Sequence, residues 1–185
     1  MKINTEGYIG NIRLISSPNC DERPAGSLIN LLVIHYISLP PDKFGGNEVI
    51  DLFTNQLDPK VDSSFQILSA VRVSAHFFIR RDGETIQFVS CKKRAWHAGV
   101  SYWQGKACCN DFSIGVELEG NDKELFTAKQ YASLIAVTLA LRETYPIEDI
   151  TGHSDIAPGR KTDPGPYFDW EYYRTMLPAA NHSSR

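Results

Sequence analysis

The residues best equipped for chemistry lie close together near the C-terminus, in His153-Ser-Asp-Ile-Ala-Pro-Gly-Arg-Lys-Thr-Asp163-Pro-Gly-Pro-Tyr-Phe-Asp-Trp170. One imidazole, three carboxylates, an arginine and a lysine share this stretch. Its three prolines and two glycines predict a loop, because proline locks φ and glycine reaches dihedrals that other residues avoid. Rigidly held loops are where binding and catalytic groups concentrate. A His and an Asp here could hold a divalent metal, with Lys161 supplying positive charge beside it. The plainer reading is a surface turn with capping aspartates.

Other reactive side chains are scattered upstream. Leu28-Ile-Asn-Leu-Leu-Val-Ile-His35-Tyr36 is a nearly continuous apolar run of strand length, predicting a strand covered on both faces. It ends at His35, before a Pro-Pro loop, so that imidazole falls at the sheet's edge; a lone histidine there also suits a purely structural role. His76 sits beside Phe77 and Phe78 in a predicted hairpin, Val73–Val89, turning at Asp82-Gly83. It reads as a structural residue or one supporting a site.

Lys92-Lys-Arg-Ala-Trp-His97-Ala-Gly-Val-Ser-Tyr-Trp103 mixes three cations with aromatic rings. That suits a ligand part sugar and part carboxylate, or else is a solvated charge run beside core aromatics. His97 is open to three readings: metal ligand, substrate contact or loop residue. Asp111–Gly120 predicts a strand in which Ile114, Val116 and Leu118 face one way and Glu117 and Glu119 the other. Solvent is the commoner destination for such a carboxylate pair, a cleft the alternative.

The scaffold that must position these groups is legible in outline. Residues 1–27 predict an N-terminal arm lying over the domain. Glu48–Gln56 has helical spacing, and the polar stretch 56–70 is the candidate for a mobile segment. Thr127-Ala-Lys-Gln130 is a capping box opening a helix through Leu141 that ends near Tyr145-Pro146. A short strand, Ile150–Gly152, leads to His153, and Asp169 caps a last helix over 170–177. The tail, 178–185, is expected to fray, and His182 in it has no assigned role.

The 185 residues, without repeat or linker, predict a single domain spanning 1–185. A net charge of −3 gives no basic field for nucleic acid. No apolar run reaches the roughly 20 residues needed to span a bilayer. The N-terminus lacks the apolar core of a signal peptide. Cys20, Cys91, Cys108 and Cys109 make no C-x-x-C pair, which predicts reduced thiols and a cytoplasmic protein.

Serine-hydrolase elbows, Walker loops, G-x-G-x-x-G and H-E-x-x-H are all missing from the sequence. What remains is His35, His153 and Asp163. Three nitrogen and oxygen ligands with a fourth position open to water is the usual arrangement of catalytic zinc.

Leu32-Val-Ile-His35, Ser74-Ala-His-Phe-Phe-Ile-Arg-Arg-Asp-Gly83, Arg94-Ala-Trp-His-Ala-Gly-Val-Ser101, Asn110–Gly120, Thr151–Pro166 and Phe168-Asp-Trp170 together resemble the N-acetylmuramoyl-L-alanine amidases. More narrowly, they resemble the cytoplasmic AmpD branch. The resemblance covers nearly the whole chain in order. It implies an α/β fold with a mixed central β-sheet flanked by helices, the zinc amidase and peptidoglycan-recognition-protein-like fold, with one zinc per chain. The implied ligands are His35, His153 and Asp163; related phage amidases and animal recognition proteins often carry cysteine in place of Asp163, so the carboxylate points to the AmpD branch. Glu117 falls at the position of the general base and Lys161 at that of the transition-state stabiliser. Arg72, Trp96 and Arg160 fall in stretches associated with the substrate cleft. Tyr36 departs from the pattern, which has asparagine after the first zinc histidine.

The implied activity is hydrolysis of the amide between 1,6-anhydro-N-acetylmuramic acid and L-alanine of muropeptides during peptidoglycan recycling, by a monomer with no nucleic-acid or membrane partner. Two alternatives stand beside it: a non-catalytic muropeptide-binding module, and an amidase acting on intact peptidoglycan.

Overall fold

The apolar run ending in His35 and the alternating segment that carries Glu117 are adjacent central strands. The computed structural model describes residues 1–178. Its strands are β1 (Arg13–Leu14), β2 (Cys20–Glu22), β3 (Leu31–Ile37), β4 (Phe77–Ile79), β5 (Thr85–Gln87), β6 (Lys93–Ala95), β7 (Tyr102–Trp103), β8 (Lys106–Ala107), β9 (Ser113–Glu119) and β10 (Asp149–Gly152). The helices are α1 (Glu48–Phe53), α2 (Phe65–Leu68), α3 (Ala128–Thr144), α4 (His153–Ile156) and α5 (Trp170–Thr175). Six strands form a mixed sheet in the order β1-β5-β4-β9-β3-β10. All neighbours in it are parallel except β4 and β5, the predicted hairpin.

Strand β3 is buried on both faces, as its continuous apolar run requires. It runs two residues past His35, so that histidine lies within the sheet and not at its edge. Leu32, Ile34, Phe77, Ile79, Ile114, Val116 and Leu118 pack with Leu134, Val137 and Leu141 of α3 and Tyr173 of α5. On the opposite face Phe78 and Ile86 meet Val49, Leu52 and Phe53 of α1 and Phe65 of α2. Towards β10 that second face carries a smaller apolar group including Val33, Ala98 and Ile156. The candidate polar residues stand above this group.

The N-terminal segment is more than a covering arm. β1 extends the main sheet beside β5, and β2 pairs antiparallel with β6, because strand edges are completed by any backbone that can reach them. Segment 56–70 contains α2, whose Phe65 is wholly buried. Helix α3 runs to Thr144 and is capped at Tyr145, the end that proline at 146 imposes by barring its predecessor from helical dihedrals. Asp169 caps α5 by accepting from the Tyr172 N–H at 2.8 Å. The expected frayed tail lies outside the described residues except for Pro178, as does His182.

The capping box is present in full: Gln130 N–H donates to Thr127 Oγ1 and Thr127 N–H to Gln130 Oε1, both at 3.1 Å. Thr127 Oγ1–H also donates to Arg81 O at 2.7 Å, tying the helix start to the hairpin. Thr127→Ala therefore lowers unfolding free energy by about 1–2 kcal/mol, read as a lower urea midpoint at unchanged slope.

Candidate metal centre and catalytic cleft

Strand register builds the site. β3 and β9 pair so that His35 lies opposite Glu117. β10 pairs Gly152 with Ile34, so the chain leaves the sheet level with His35, and His153 opens α4 there. The helical turn at 153–156 replaces the expected loop at this point. The loop then brings Asp163 back, with Ser154 N–H donating to Asp163 O at 2.8 Å. Gly152 permits that return: a Cβ on it would lie 2.7 Å from Pro164 Cδ.

The result is a buried triangle. His35 Nδ1 lies 2.9 Å from His153 Nδ1 and 3.1 Å from Asp163 Oδ2, which is 3.0 Å from His153 Nδ1. His153 Nε2 is 3.1 Å from Ala98 O; a carbonyl only accepts, so this nitrogen carries a proton, and a cation in the triangle would take the lone pair of Nδ1. Burial pushes the His35 pKa down to about 4, against the opposing pull of Asp163. Burial acts to raise the Asp163 pKa, but hydrogen bonds with His153 and His35 prevail and hold it below the usual carboxylate range. Two imidazoles and a carboxylate thus converge on one point. Such a donor set fits a divalent cation, and its nitrogen and oxygen atoms are those zinc accepts.

Glu117 flanks the triangle, with Oε1 4.0 Å from His35 Nδ1. Its Oε2 is buried without a hydrogen-bond partner among the described residues. Burial first, then the negative charge of Asp163, raises its pKa well above the ordinary value, while Lys161 pulls it down. Solvent was the commoner expectation for both strand carboxylates, and neither goes there. Glu119 is buried and accepts from Gly45 N–H at 2.6 Å and Arg81 N–H at 2.9 Å. The strand is central, so the face opposite α3 is interior as well.

The remaining candidates are distributed around this centre. Lys161 is exposed on the loop before Asp163. Arg160 Nη2 donates to Ala98 O and Val100 O at 2.7 and 2.6 Å, bracing the loop that carries the acceptor of His153. Arg72 is exposed, with Nη1 on Ser69 O and Val71 O. Trp96 is half-buried beside Asp21. Tyr36 lines a cavity of about 440 Å³ with Ser38, Asp42, Asn121 and Lys123, so the residue that departs from the family pattern stands in the wall of an open cleft.

The cation run is largely committed elsewhere. Arg94 makes a two-point contact with Asp21, at 2.7 and 2.5 Å, and another with Asp111 at 2.6 Å; Lys93 pairs with Glu22 at 3.2 Å. Arg94 is thus a structural clamp, and these acidic partners lie too far away in sequence for local inspection to pair them. His97 lies on the loop after β6, one of the three readings open for it, and stands behind the triangle with Nδ1 2.9 Å from His35 Nε2. His76 is fully buried, with Nδ1 accepting from Gly115 N–H at 3.0 Å, the structural role anticipated. All four cysteines are free. No helix among the described residues is long and apolar enough to cross a membrane.

A mixed sheet that brings His35, His153 and Asp163 to one point able to hold a cation, with the Glu117 carboxylate alongside, fits a hydrolase of the amidase class. The family profile for N-acetylmuramoyl-L-alanine amidase matches residues 25–166. The chain belongs to the N-acetylmuramoyl-L-alanine amidase family and, within it, to the AmpD branch. It is 52% identical over 174 residues to the 1,6-anhydro-N-acetylmuramyl-L-alanine amidase AmpD of Escherichia coli K12, covering 93% of this chain and 95% of that protein. A crystal structure of a selenomethionine derivative of AmpD superposes with a TM-score of 0.93 at 51% identity, covering 96% of this chain and 100% of the other. The E. coli amidase AmiD, in complex with anhydro-N-acetylmuramic acid-L-Ala-D-γ-Glu-L-Lys, superposes with a TM-score of 0.60 at 28% identity, over 94% of this chain and 64% of AmiD.

Proposed function

We propose that the protein is a zinc-dependent amidase that cleaves the bond between the lactyl group of 1,6-anhydro-N-acetylmuramic acid and L-alanine in muropeptides, working as a monomeric single domain in cytoplasmic peptidoglycan recycling. The observation that carries this reading is the Glu117 carboxylate beside the triangle of His35, His153 and Asp163, its Oε2 buried without a partner among the described residues. A binding module has no use for a carboxylate oxygen left buried without a partner, which costs stability. The name of the E. coli relative and the ligand of AmiD support the choice of substrate.

His35 and His153, through their Nδ1 atoms, and Asp163, through Oδ2, would hold the zinc. When bound, zinc supplies Lewis acidity and brings the pKa of water towards about 7. Glu117, with its pKa raised, takes a proton from the attacking water and passes it to the departing L-alanine nitrogen. Lys161 Nζ stabilises negative charge on the carbonyl oxygen. The cleft beside Tyr36 receives the substrate, and the family resemblance assigns further substrate contacts to Arg72, Trp96 and Arg160.

The test is mass-spectrometric: anhydro-muropeptide is incubated with zinc-loaded protein and with protein stripped by a chelator. Free stem peptide and anhydro-N-acetylmuramic acid are expected from the loaded sample alone. Retained muropeptide binding with no cleavage by zinc-loaded protein would replace the amidase with a binding module. Equal cleavage of intact peptidoglycan would overturn the restriction to recycling fragments.

A further inference from the structure

The far nitrogens of both histidines in the triangle are held by one two-residue segment. Ala98 O takes the Nε2–H of His153, and the neighbouring His97 meets Nε2 of His35 at 2.9 Å. That segment is itself fixed, since the backbone N–H groups of His97 and Ala98 both donate to Asn110 Oδ1, at 3.1 and 2.8 Å. The rings of His35 and His97 meet edge-on, with centroids 5.0 Å apart and planes at 85°. On its other side, His97 Nε2 lies 3.2 Å from Ser113 Oγ.

The sheet is shaped around this imidazole. A Cβ on Gly115, in the middle of β9, would sit 2.4 Å from His97 Cγ. Glycine weakens a central strand and marks a close approach. Here what approaches is the ring of His97.

We propose that His97 is a positioning residue for the metal, acting through His35. A cation at His35 Nδ1 forces the ring's proton onto Nε2, inside a fully buried environment. A buried N–H without an acceptor is costly. Among the described residues the acceptor within reach is His97 Nδ1. His97 accepts there as a neutral imidazole whose own proton is on Nε2, donated to Ser113 Oγ. The chain from His35 through His97 to Ser113 thus holds the first ligand in one ring orientation and one tautomer. Outer partners of this kind change metal affinity by about 10- to 100-fold. The inference rests on the triangle being a metal site, as proposed above.

Zinc dissociation constants measured by chelator competition test it, with thermal melting as the check on folding. Wild type is expected to bind one zinc, and His97→Leu to bind it about 10- to 100-fold more weakly. His97→Asn, whose side-chain oxygen can replace the Nδ1 acceptor, should recover most of that loss. Folded His97→Leu with wild-type affinity, or His97→Asn as weak as His97→Leu, overturns the proposal. Should His97→Leu not fold, imidazole ¹⁵N NMR of the zinc-loaded wild type decides. A protonated His35 Nε2 coupled across a hydrogen bond to His97 Nδ1 is expected, and a rapidly exchanging Nε2–H with no such coupling refutes it. If wild type binds no zinc at all, the metal reading itself fails, a result distinct from these.

Discussion

Glu117→Gln is expected to lower kcat by about 10²- to 10⁴-fold while the protein still binds one zinc. The substitution keeps the shape of a half-buried side chain on β9 and removes only its ability to take a proton. The ligand atoms belong to His35, His153 and Asp163, so metal content by atomic absorption should be unchanged. Loss of zinc from this variant would show that Glu117 is a ligand and that the division of roles is wrong.

The same variant carries a stability signature of the opposite sign. The Glu117 pKa is raised in the folded protein by burial and by Asp163, so the folded state favours the protonated carboxyl more than the unfolded state does. That preference is fully satisfied below the unfolded pKa and becomes a penalty as pH rises past it. Metal-free Glu117→Gln should therefore melt higher than metal-free wild type at neutral pH. The gap should close on acidification below about pH 4, near the pKa of an unperturbed glutamate. Loading zinc should narrow the gap at neutral pH, because a cation nearby favours the carboxylate.

Lys161→Met is expected to cost about 10²- to 10³-fold in kcat, the range for losing one oxyanion donor, with little change in melting temperature, since the side chain is exposed. A second consequence separates this residue from a generic surface charge. Lys161 lowers the Glu117 pKa, so its removal favours the protonated acid, and the acidic limb of the pH–rate profile should move to higher pH. Lys161→Arg should leave that limb close to the wild-type position. A large fall in kcat without movement of the limb would assign Lys161 to the oxyanion alone.

Local patterns made much of the scaffold legible. The run Leu31–Ile34 announces a doubly covered strand, Asp82-Gly83 a hairpin, and Thr127 with Gln130 a helix start, because each depends on residues near one another in the chain. The ordered motifs also carried the family, and with it an expectation for each site residue. Where the reading went astray, the missing information was a long-range pairing. The first residues were expected to lie over the domain, yet β1 and β2 pair with strands more than seventy residues away. Arg94 looked available to a ligand until Asp21 and Asp111 closed on it. Alternation placed Glu117 and Glu119 on one face but said nothing of what covers it.

By itself, then, the sequence determined the local elements, the family, and which side chains have the chemistry to ligate a metal or move a proton. Only the tertiary structure decided that His35, Glu117 and His153 share one row, that Glu117 Oε2 is left without a partner among the described residues while Glu119 is tied down, and that His97 stands behind His35. The physical reason is that side-chain chemistry and helical or strand periodicity are properties of neighbouring residues. Register across β9, β3 and β10, and the burial that shifts a pKa, arise only when distant segments close on one another.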